Sequence, residues 1–272
     1  MTDEATPLLV LAAGQRCGST LVQRLLCSHP RVMIWGEHAG QLRPILAAVE
    51  RLRFWTEHDA VIARDELAAS GYHGFIANLT PERSSIDSAC RAFIETLFAQ
   101  PALEIARPIW GFKEVRYGLS DVLLLQGLFP RLRVVQIVRD PRDVLRSLDD
   151  WERHPEWKSR NTEAALRHWL TVAGSFIGSR ADPNLRSLIL TIRYEDLTAD
   201  ARRWSAAIAH HCELDEELLD RTVFDNRVHS PRGCGPLDRE LHEWSQLPAS
   251  LRALVDDEDI HTVASAYGYD LA

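Results

Sequence analysis

Apolar and polar residues follow one another along the chain in blocks, and the block lengths predict strands and helices in turn. The first block, residues 8–13, is a continuous apolar run of strand length. A short loop bounded by Gly14 and Gly18 follows it. Apolar residues then recur at the spacing of one helix face: Leu21, Val22, Leu25 and Leu26. Residues 8–28 are therefore predicted to form a buried strand, a tight turn and an amphipathic helix.

Further apolar runs of strand length occur later in the chain, at residues 32–36, 109–115, 133–138 and 187–192. Helical sequence separates them. Strands that alternate with helices predict a parallel sheet whose crossover connections lie on both faces. Ligands of such sheets bind beyond the carboxyl ends of the strands. We therefore predict an α/β fold with a central parallel sheet and helices on both faces.

Residues 40–105 have mostly helical periodicity, interrupted by a loop at 71–83 that is rich in turn residues. This pattern predicts a helical insertion after the second strand. A chain of 272 residues suits one α/β domain with an insertion. We expect a single domain over residues 1–272, in which the segment at about 40–105 shapes an acceptor pocket.

The loop before the first helix is a predicted anion site. The first N–H groups of a helix lack internal partners, and the helix dipole favours negative charge there. Glycine lets the backbone approach a ligand closely. Ser19 and Thr20 add hydroxyl donors, and Arg16 adds a guanidinium fork suited to phosphate or sulfate oxygens. The alternative is a strand-to-helix turn with chance glycines.

The same loop is not a Walker A loop. That motif, GxxxxGK[ST], places a Lys directly before the hydroxyl residue. Here Gly18 is followed directly by Ser19, and the cation, Arg16, stands two residues before Gly18. The usual means of reaching the β- and γ-phosphates beside Mg²⁺ is therefore missing.

Composition argues against some classes of ligand and indicates where in the cell the protein is expected. A net charge of -8 argues against broad nucleic-acid binding, so an anionic ligand needs a local basic cluster. Nearly all cations are Arg, which is typical of a GC-rich bacterial source. Five widely spaced cysteines form no CxxC pair, and no apolar run approaches membrane-spanning length. The acidic N-terminus does not resemble a signal peptide, so we expect a cytoplasmic enzyme.

Two segments resemble the sulfotransferases that use 3′-phosphoadenosine 5′-phosphosulfate (PAPS). GQRCGSTLVQRLL, residues 14–26, is similar to the 5′-phosphosulfate loop of that family. VRDPRDVLRS, residues 138–147, is similar to its 3′-phosphate segment, which has an Arg at a strand end and a Ser about two helical turns later. Residues 192–197 and the terminal Gly268-Tyr269 fit more loosely.

The resemblance implies a P-loop-NTPase-like sulfotransferase fold and a PAPS site with two anion pockets. The 5′-phosphosulfate would contact the first loop: Gly14, Gln15, Arg16, Cys17, Gly18, Ser19 and Thr20. The 3′-phosphate would contact Arg139 and Ser147, and Tyr194 would lie near the adenine or the loop. The product would be adenosine 3′,5′-bisphosphate (PAP), and no metal is expected.

The catalytic residues follow from the same resemblance. Glu37 comes just after the second strand, where the protein-tyrosine and some bacterial carbohydrate sulfotransferases carry a Glu general base. His38 is the competing base. Arg16 stays protonated and stabilises charge, whereas Lys113 can both neutralise charge and donate a proton.

One departure from the family concerns the far wall of the cofactor site. Many cytosolic members carry a late Arg-Lys-Gly-Xaa-Xaa-Gly segment that clamps the 3′-phosphate, and this chain lacks it. The nearest loop is HSPRGCG, residues 229–235, in which Arg232 is the candidate contact. The departure favours the Glu-base branch over the steroid and phenol type.

The expected reaction is sulfuryl transfer from PAPS to a hydroxyl of a small molecule, a sugar or a natural-product scaffold. A P-loop nucleotide-dependent kinase or NTPase is the alternative, and a non-catalytic nucleotide-binding protein of the same fold is another. The missing Walker Lys opposes the kinase. The acceptor and the oligomeric state stay open, with a homodimer as one option.

Overall fold

Five parallel strands form the main sheet in the part of the chain that the computed structural model describes, namely residues 8–12, 14–152, 161–225, 228–230, 233–234 and 243–271. The strand order is β2-β3-β1-β4-β5. The strands are β1 (Leu8–Ala12), β2 (Val32–Trp35), β3 (Ile109–Glu114), β4 (Arg133–Val138) and β5 (Ile189–Arg193). Two short antiparallel strands pair separately: β6 (Val228–Ser230) and β7 (Gly233–Cys234).

The central position of β1 decides which loops meet. Leu11 of β1 pairs with Glu114 of β3, and Ala12 pairs with Ile137 of β4. Because all five strands are parallel, their carboxyl ends lie at one edge of the sheet. The loops that follow β3, β1 and β4 are therefore neighbours at this edge.

The described residues contain thirteen α-helices. Before β4 they are α1 (Ser19–Ser28), α2 (Arg43–His58), α3 (Ala60–Ser70), α4 (Arg83–Ile94), α5 (Gln100–Glu104) and α6 (Leu119–Leu128). After β4 they are α7 (Pro141–Glu152), α8 (Thr162–Phe176), α9 (Pro183–Leu188), α10 (Tyr194–Ala199), α11 (Ala201–His211), α12 (Ala249–Arg252) and α13 (Glu258–Ala266).

Helices pack against both faces of the sheet. On one face Trp110 and Phe112 of β3 contact a buried cluster with residues of α2, α4 and α6. On the other face Val135 of β4 packs with residues of α1 and α11. Val134 belongs to the first cluster, as the alternation of side chains along a strand requires. The predicted mixture of helices and parallel strands is confirmed.

The helical segment predicted at about 40–105 contains α2 to α5, with a π-helical turn at Glu95–Ala99 between α4 and α5. One strand boundary differs from its prediction. The strand expected from residue 187 begins at Ile189, because α9 occupies the preceding residues. Asp182 caps that helix by accepting the Asn184 N–H at 2.8 Å, and Pro183 suits its first position.

None of the helices in the described ranges combines the length and the apolar character needed to cross a membrane.

Candidate active site

The loop between β1 and α1 has an unusual backbone. Gly14, Arg16 and Gly18 all have positive φ angles, of 99°, 67° and 93°. A Cβ on Gly18 would overlap the ring of Tyr194, so only glycine fits there. Arg16 adopts this left-handed conformation with a full side chain, which costs energy that the surrounding contacts must offset.

Side chains of the predicted loop residues differ in their exposure. Ser19 is buried at the start of α1, Thr20 is exposed, and Gln15 is intermediate. Cys17 is buried, and burial raises the pKa of its thiol to about 12, although Arg139 nearby lowers it. Cys17 is therefore an uncharged thiol, not a thiolate, at neutral pH. It can donate a hydrogen bond to a bound anion through its backbone N–H.

The two segments that were predicted as separate anion sites touch one another. Arg16 Nε donates a hydrogen bond to Ser147 Oγ at 2.9 Å, and Ser147 is buried. Arg139 Nη1 donates to the backbone oxygen of Arg16 at 3.1 Å. The structure thus brings the side chains of Arg16, Arg139 and Ser147 into one cluster at the edge of the sheet.

Tyr194, the first residue of α10, completes this cluster. Its ring lies under the Arg139 guanidinium, with 4.4 Å between the guanidinium carbon and the ring centroid. The same ring fills the space beside Gly18. Of the two positions expected for Tyr194, near the adenine or near the loop, its side chain lies against the loop. A cation over an aromatic face is attracted by the ring quadrupole, which helps to fix Arg139.

A second charged group forms where β2 and β3 end. Lys113 Nζ donates to Glu37 Oε1, and Arg116 Nη1 donates to Glu37 Oε2 at 3.2 Å. Glu114, which is fully buried, accepts from Arg116 Nη1 at 2.9 Å and from the Gly40 N–H at 2.6 Å. Arg116 and Glu114 are not among the site residues predicted from the sequence. Their signal was the run of charged residues that begins with Lys113 at a strand end.

A model of the sulfotransferase family matches residues 7–217, which is most of the chain and includes both charged groups. The chain belongs to the sulfotransferase family.

Solved sulfotransferases have the same fold as this family member. They include sulfotransferase domains from the curacin biosynthetic pathway and from the Synechococcus PCC 7002 olefin synthase, and mouse sulfotransferase SULT7A1 complexed with PAP. In that order the identities are 17%, 18% and 11%, and the TM-scores are 0.56, 0.54 and 0.52. The alignments cover 98%, 99% and 97% of this chain and 99%, 97% and 86% of theirs. No curated protein sequence matches the chain significantly.

Two opposing effects set the protonation of Glu37 in this sulfotransferase. Burial raises its pKa, but Lys113 and Arg116 outweigh burial, so the pKa lies below its ordinary value of 4.5. Glu37 is therefore ionised at neutral pH and able to accept a proton. Its lowered pKa also makes it a weaker base than a free carboxylate.

His38, the competing base, is held among aromatic rings. Its Nε2 lies 2.7 Å from the hydroxyl of Tyr117, and its ring meets Phe112 edge-on at 5.1 Å. Its Nδ1 is buried and has no hydrogen-bond partner among the described residues. Burial lowers the pKa of His38, whose side chain is 17% exposed against 35% for Glu37. Glu37 is thus the more accessible of the two bases.

The remaining predicted contact, Arg232, lies outside the described residues.

Replacing Lys113 by Met tests the ion pair with Glu37. We expect the pKa of Glu37 to rise relative to the wild type, because burial persists while the largest lowering influence is removed. The lowered wild-type pKa stabilises the folded protein above the pKa of the unfolded state, and this contribution is lost as the pH falls through the folded pKa. Titration of the Glu37 carboxyl by carbon NMR measures the shift.

Arg202→Met is the matched control, because it removes an exposed cation on α11. It should leave the Glu37 titration unchanged. An unchanged titration in Lys113→Met would show that the pair does not form in solution.

Proposed function

We propose that this sulfotransferase moves the sulfuryl group of PAPS to a hydroxyl group of a small-molecule, sugar or natural-product acceptor, with Glu37 as the general base. The observation that carries the proposal is the convergence of Arg16, Ser147 and Arg139 at the junction of two strand-to-helix turns. PAPS carries a 5′-phosphosulfate and a separate 3′-phosphate, so it needs two separate anion sites, and the two turns would supply one each.

The donor set fits this anion. Arg139 Nε is buried without a hydrogen-bond partner among the described residues, and an unsatisfied guanidinium N–H favours an anionic acceptor. Gly18 is the N-cap residue of α1, and because it has no side chain it makes no side-chain cap hydrogen bond to the first N–H groups of that helix. The PAP-bound mouse sulfotransferase of the same fold supports the same cofactor class.

Each residue then has a defined role in binding. The backbone of residues 14–20, with Arg16, Ser19 and Thr20, would hold the 5′-phosphosulfate. Arg139 and Ser147 would hold the 3′-phosphate, and Tyr194 would support Arg139 from below. When bound, PAPS supplies the sulfuryl group and a phosphate leaving group. Arg16 stays protonated throughout and serves as a fixed positive charge.

Glu37 takes the proton from the acceptor hydroxyl at a carboxylate oxygen. β3, which carries Lys113, lies between β2 and β1 in the sheet. Lys113 would therefore stand between Glu37, which follows β2, and the loop that follows β1. An ammonium has three donor hydrogens, so Lys113 can hold Glu37 and an anionic oxygen of the donor together. Arg116 fixes the second carboxylate oxygen and so orients the base.

The helical segment at about 40–105 shapes the acceptor pocket in this proposal, within a single domain over residues 1–272. Phe98, in the π-helical turn, packs against the ring of His38 at 5.8 Å. Its backbone oxygen also accepts the indole N–H of Trp35 at 2.9 Å. The segment therefore reaches the residues on either side of Glu37.

Replacing Arg139 by Ala tests the 3′-phosphate site. The dissociation constant for PAP should rise by roughly 10- to 100-fold, because charge-assisted hydrogen bonds are lost. That for adenosine 5′-phosphate should change less than about threefold, since it lacks the 3′-phosphate. Calorimetric titration in EDTA measures both constants.

Arg202→Ala is the control and should bind both nucleotides as the wild type does. An equal loss for both nucleotides in Arg139→Ala would remove Arg139 from the 3′ site. A wild type that binds ATP only with Mg²⁺ and ignores PAP would instead support the kinase alternative.

Replacing Glu37 by Gln tests the general base. The amide keeps an oxygen for Lys113 or Arg116 but cannot take a proton at neutral pH. Turnover with labelled PAPS and a responding acceptor should fall about 10²- to 10⁴-fold, while PAP affinity stays within about twofold. Glu104→Gln, an exposed change on α5, is the matched control. Full turnover in Glu37→Gln would exclude Glu37 as the base.

A further inference from the structure

The last described residues pack against the turn that carries Arg139. Tyr269 Oη donates a hydrogen bond to Glu195 Oε2 at 2.8 Å. The other oxygen of the same carboxylate, Glu195 Oε1, accepts the backbone N–H of Asp140 at 3.0 Å. One carboxylate therefore joins the end of the chain to the residue that directly follows Arg139. Tyr269 lies outside the family match, which ends at residue 217.

The same turn is held from a second side. Arg142 Nη2 donates to the backbone oxygen of Asp270 at 2.7 Å and to Asp140 Oδ2 at 2.9 Å. Asp140 Oδ1 also accepts the backbone N–H of Arg142 at 2.8 Å. Residues 269 and 270 therefore hold the turn between β4 and α7 at two points. Tyr269 contacts Asp140 through Glu195, and Asp270 contacts Arg142 directly.

Tyr269 is itself fixed in place. Its side chain is buried, and the Arg193 guanidinium lies over its ring at 4.3 Å from the centroid. Arg193 ends β5 and pairs with Val138 of β4, one residue before Arg139. Burial first, and then the Glu195 carboxylate, raise the pKa of Tyr269 far above its usual value. The hydroxyl therefore stays protonated and donates to Glu195 over the working range of pH.

Tyr267 anchors the preceding part of this segment. Its hydroxyl donates to the backbone oxygen of Ala173 at 2.8 Å and accepts from Gln136 Nε2 of β4 at 3.1 Å. The chain end is therefore tied to the strand as well as to the turn. Both tyrosine hydroxyls are hydrogen-bonded, as buried hydroxyls usually are, and these bonds fix the orientation of the two rings.

We propose that Tyr269 is a positioning residue for the 3′-phosphate site. Through Glu195 it fixes the Asp140 backbone, and so it sets the direction in which the Arg139 guanidinium points. Small displacements of a binding group cost large factors in affinity, so this indirect contact matters to a ligand that Tyr269 does not touch. The inference rests on the proposed function, because it assumes that Arg139 binds the 3′-phosphate.

Tyr269→Phe is the test, since it removes one hydroxyl and keeps the ring under Arg193. The dissociation constant for PAP should rise about 5- to 10-fold, with that for adenosine 5′-phosphate within about twofold of the wild type. Amide hydrogen exchange at Asp140 in the protein without nucleotide should accelerate about tenfold, because the Glu195 acceptor loses its anchor. Tyr72→Phe, at a side chain that is 78% exposed, is the matched control.

Unchanged PAP affinity together with unchanged exchange at Asp140 would overturn the proposal. Equal weakening of both nucleotides would overturn it too, because a general loss of structure does not select the 3′-phosphate. Should Tyr269→Phe fold poorly, Glu195→Met removes both hydrogen bonds of that carboxylate while keeping a side chain of similar length, and it should give the same selective loss. If the wild type does not bind PAP at all, the proposed function fails, while the exchange rate at Asp140 still reports whether the contact exists.

Discussion

The hydrogen bond between Arg16 and Ser147 joins two turns that are 131 residues apart in the sequence. It exists because β1 lies between β3 and β4 in a parallel sheet, so the turns after β1 and β4 leave the same edge side by side. The second contact, from Arg139 to the Arg16 backbone, makes the two turns one unit. These two contacts fix the position of one turn relative to the other.

The two sides of this sheet edge carry different charged groups. On the β4 side Arg139 contacts the Arg16 backbone, Asp143 lies 3.8 Å from Arg139, and the Arg139 guanidinium lies over the Tyr194 ring. On the β3 side Lys113 is already matched by Glu37. The protein as a whole is acidic, so this positive edge is a local feature of the fold.

Much of the strand and helix order can be predicted from local sequence, but the contacts that position the site residues cannot. Apolar runs and glycines identify β1, its loop and α1 because strand, turn and helix each depend on near neighbours. Glu114, Arg116 and the Tyr269–Glu195 contact could not be found that way, since each is defined by partners from distant parts of the chain. Tyr194 was identified only as one of two options, because its place against Gly18 is set by strand order.

A crystal structure with PAP bound measures the central claim most directly, because it places both phosphates relative to both turns. The account predicts the 5′-phosphate against the backbone of residues 14–20 and Arg16, and the 3′-phosphate against Arg139 and Ser147. Both phosphate contacts must occur in the same complex, because the two turns are proposed to bind one nucleotide together. Electron density for the nucleotide at any other place, or an Arg139 guanidinium that points away from the 3′-phosphate, would contradict it.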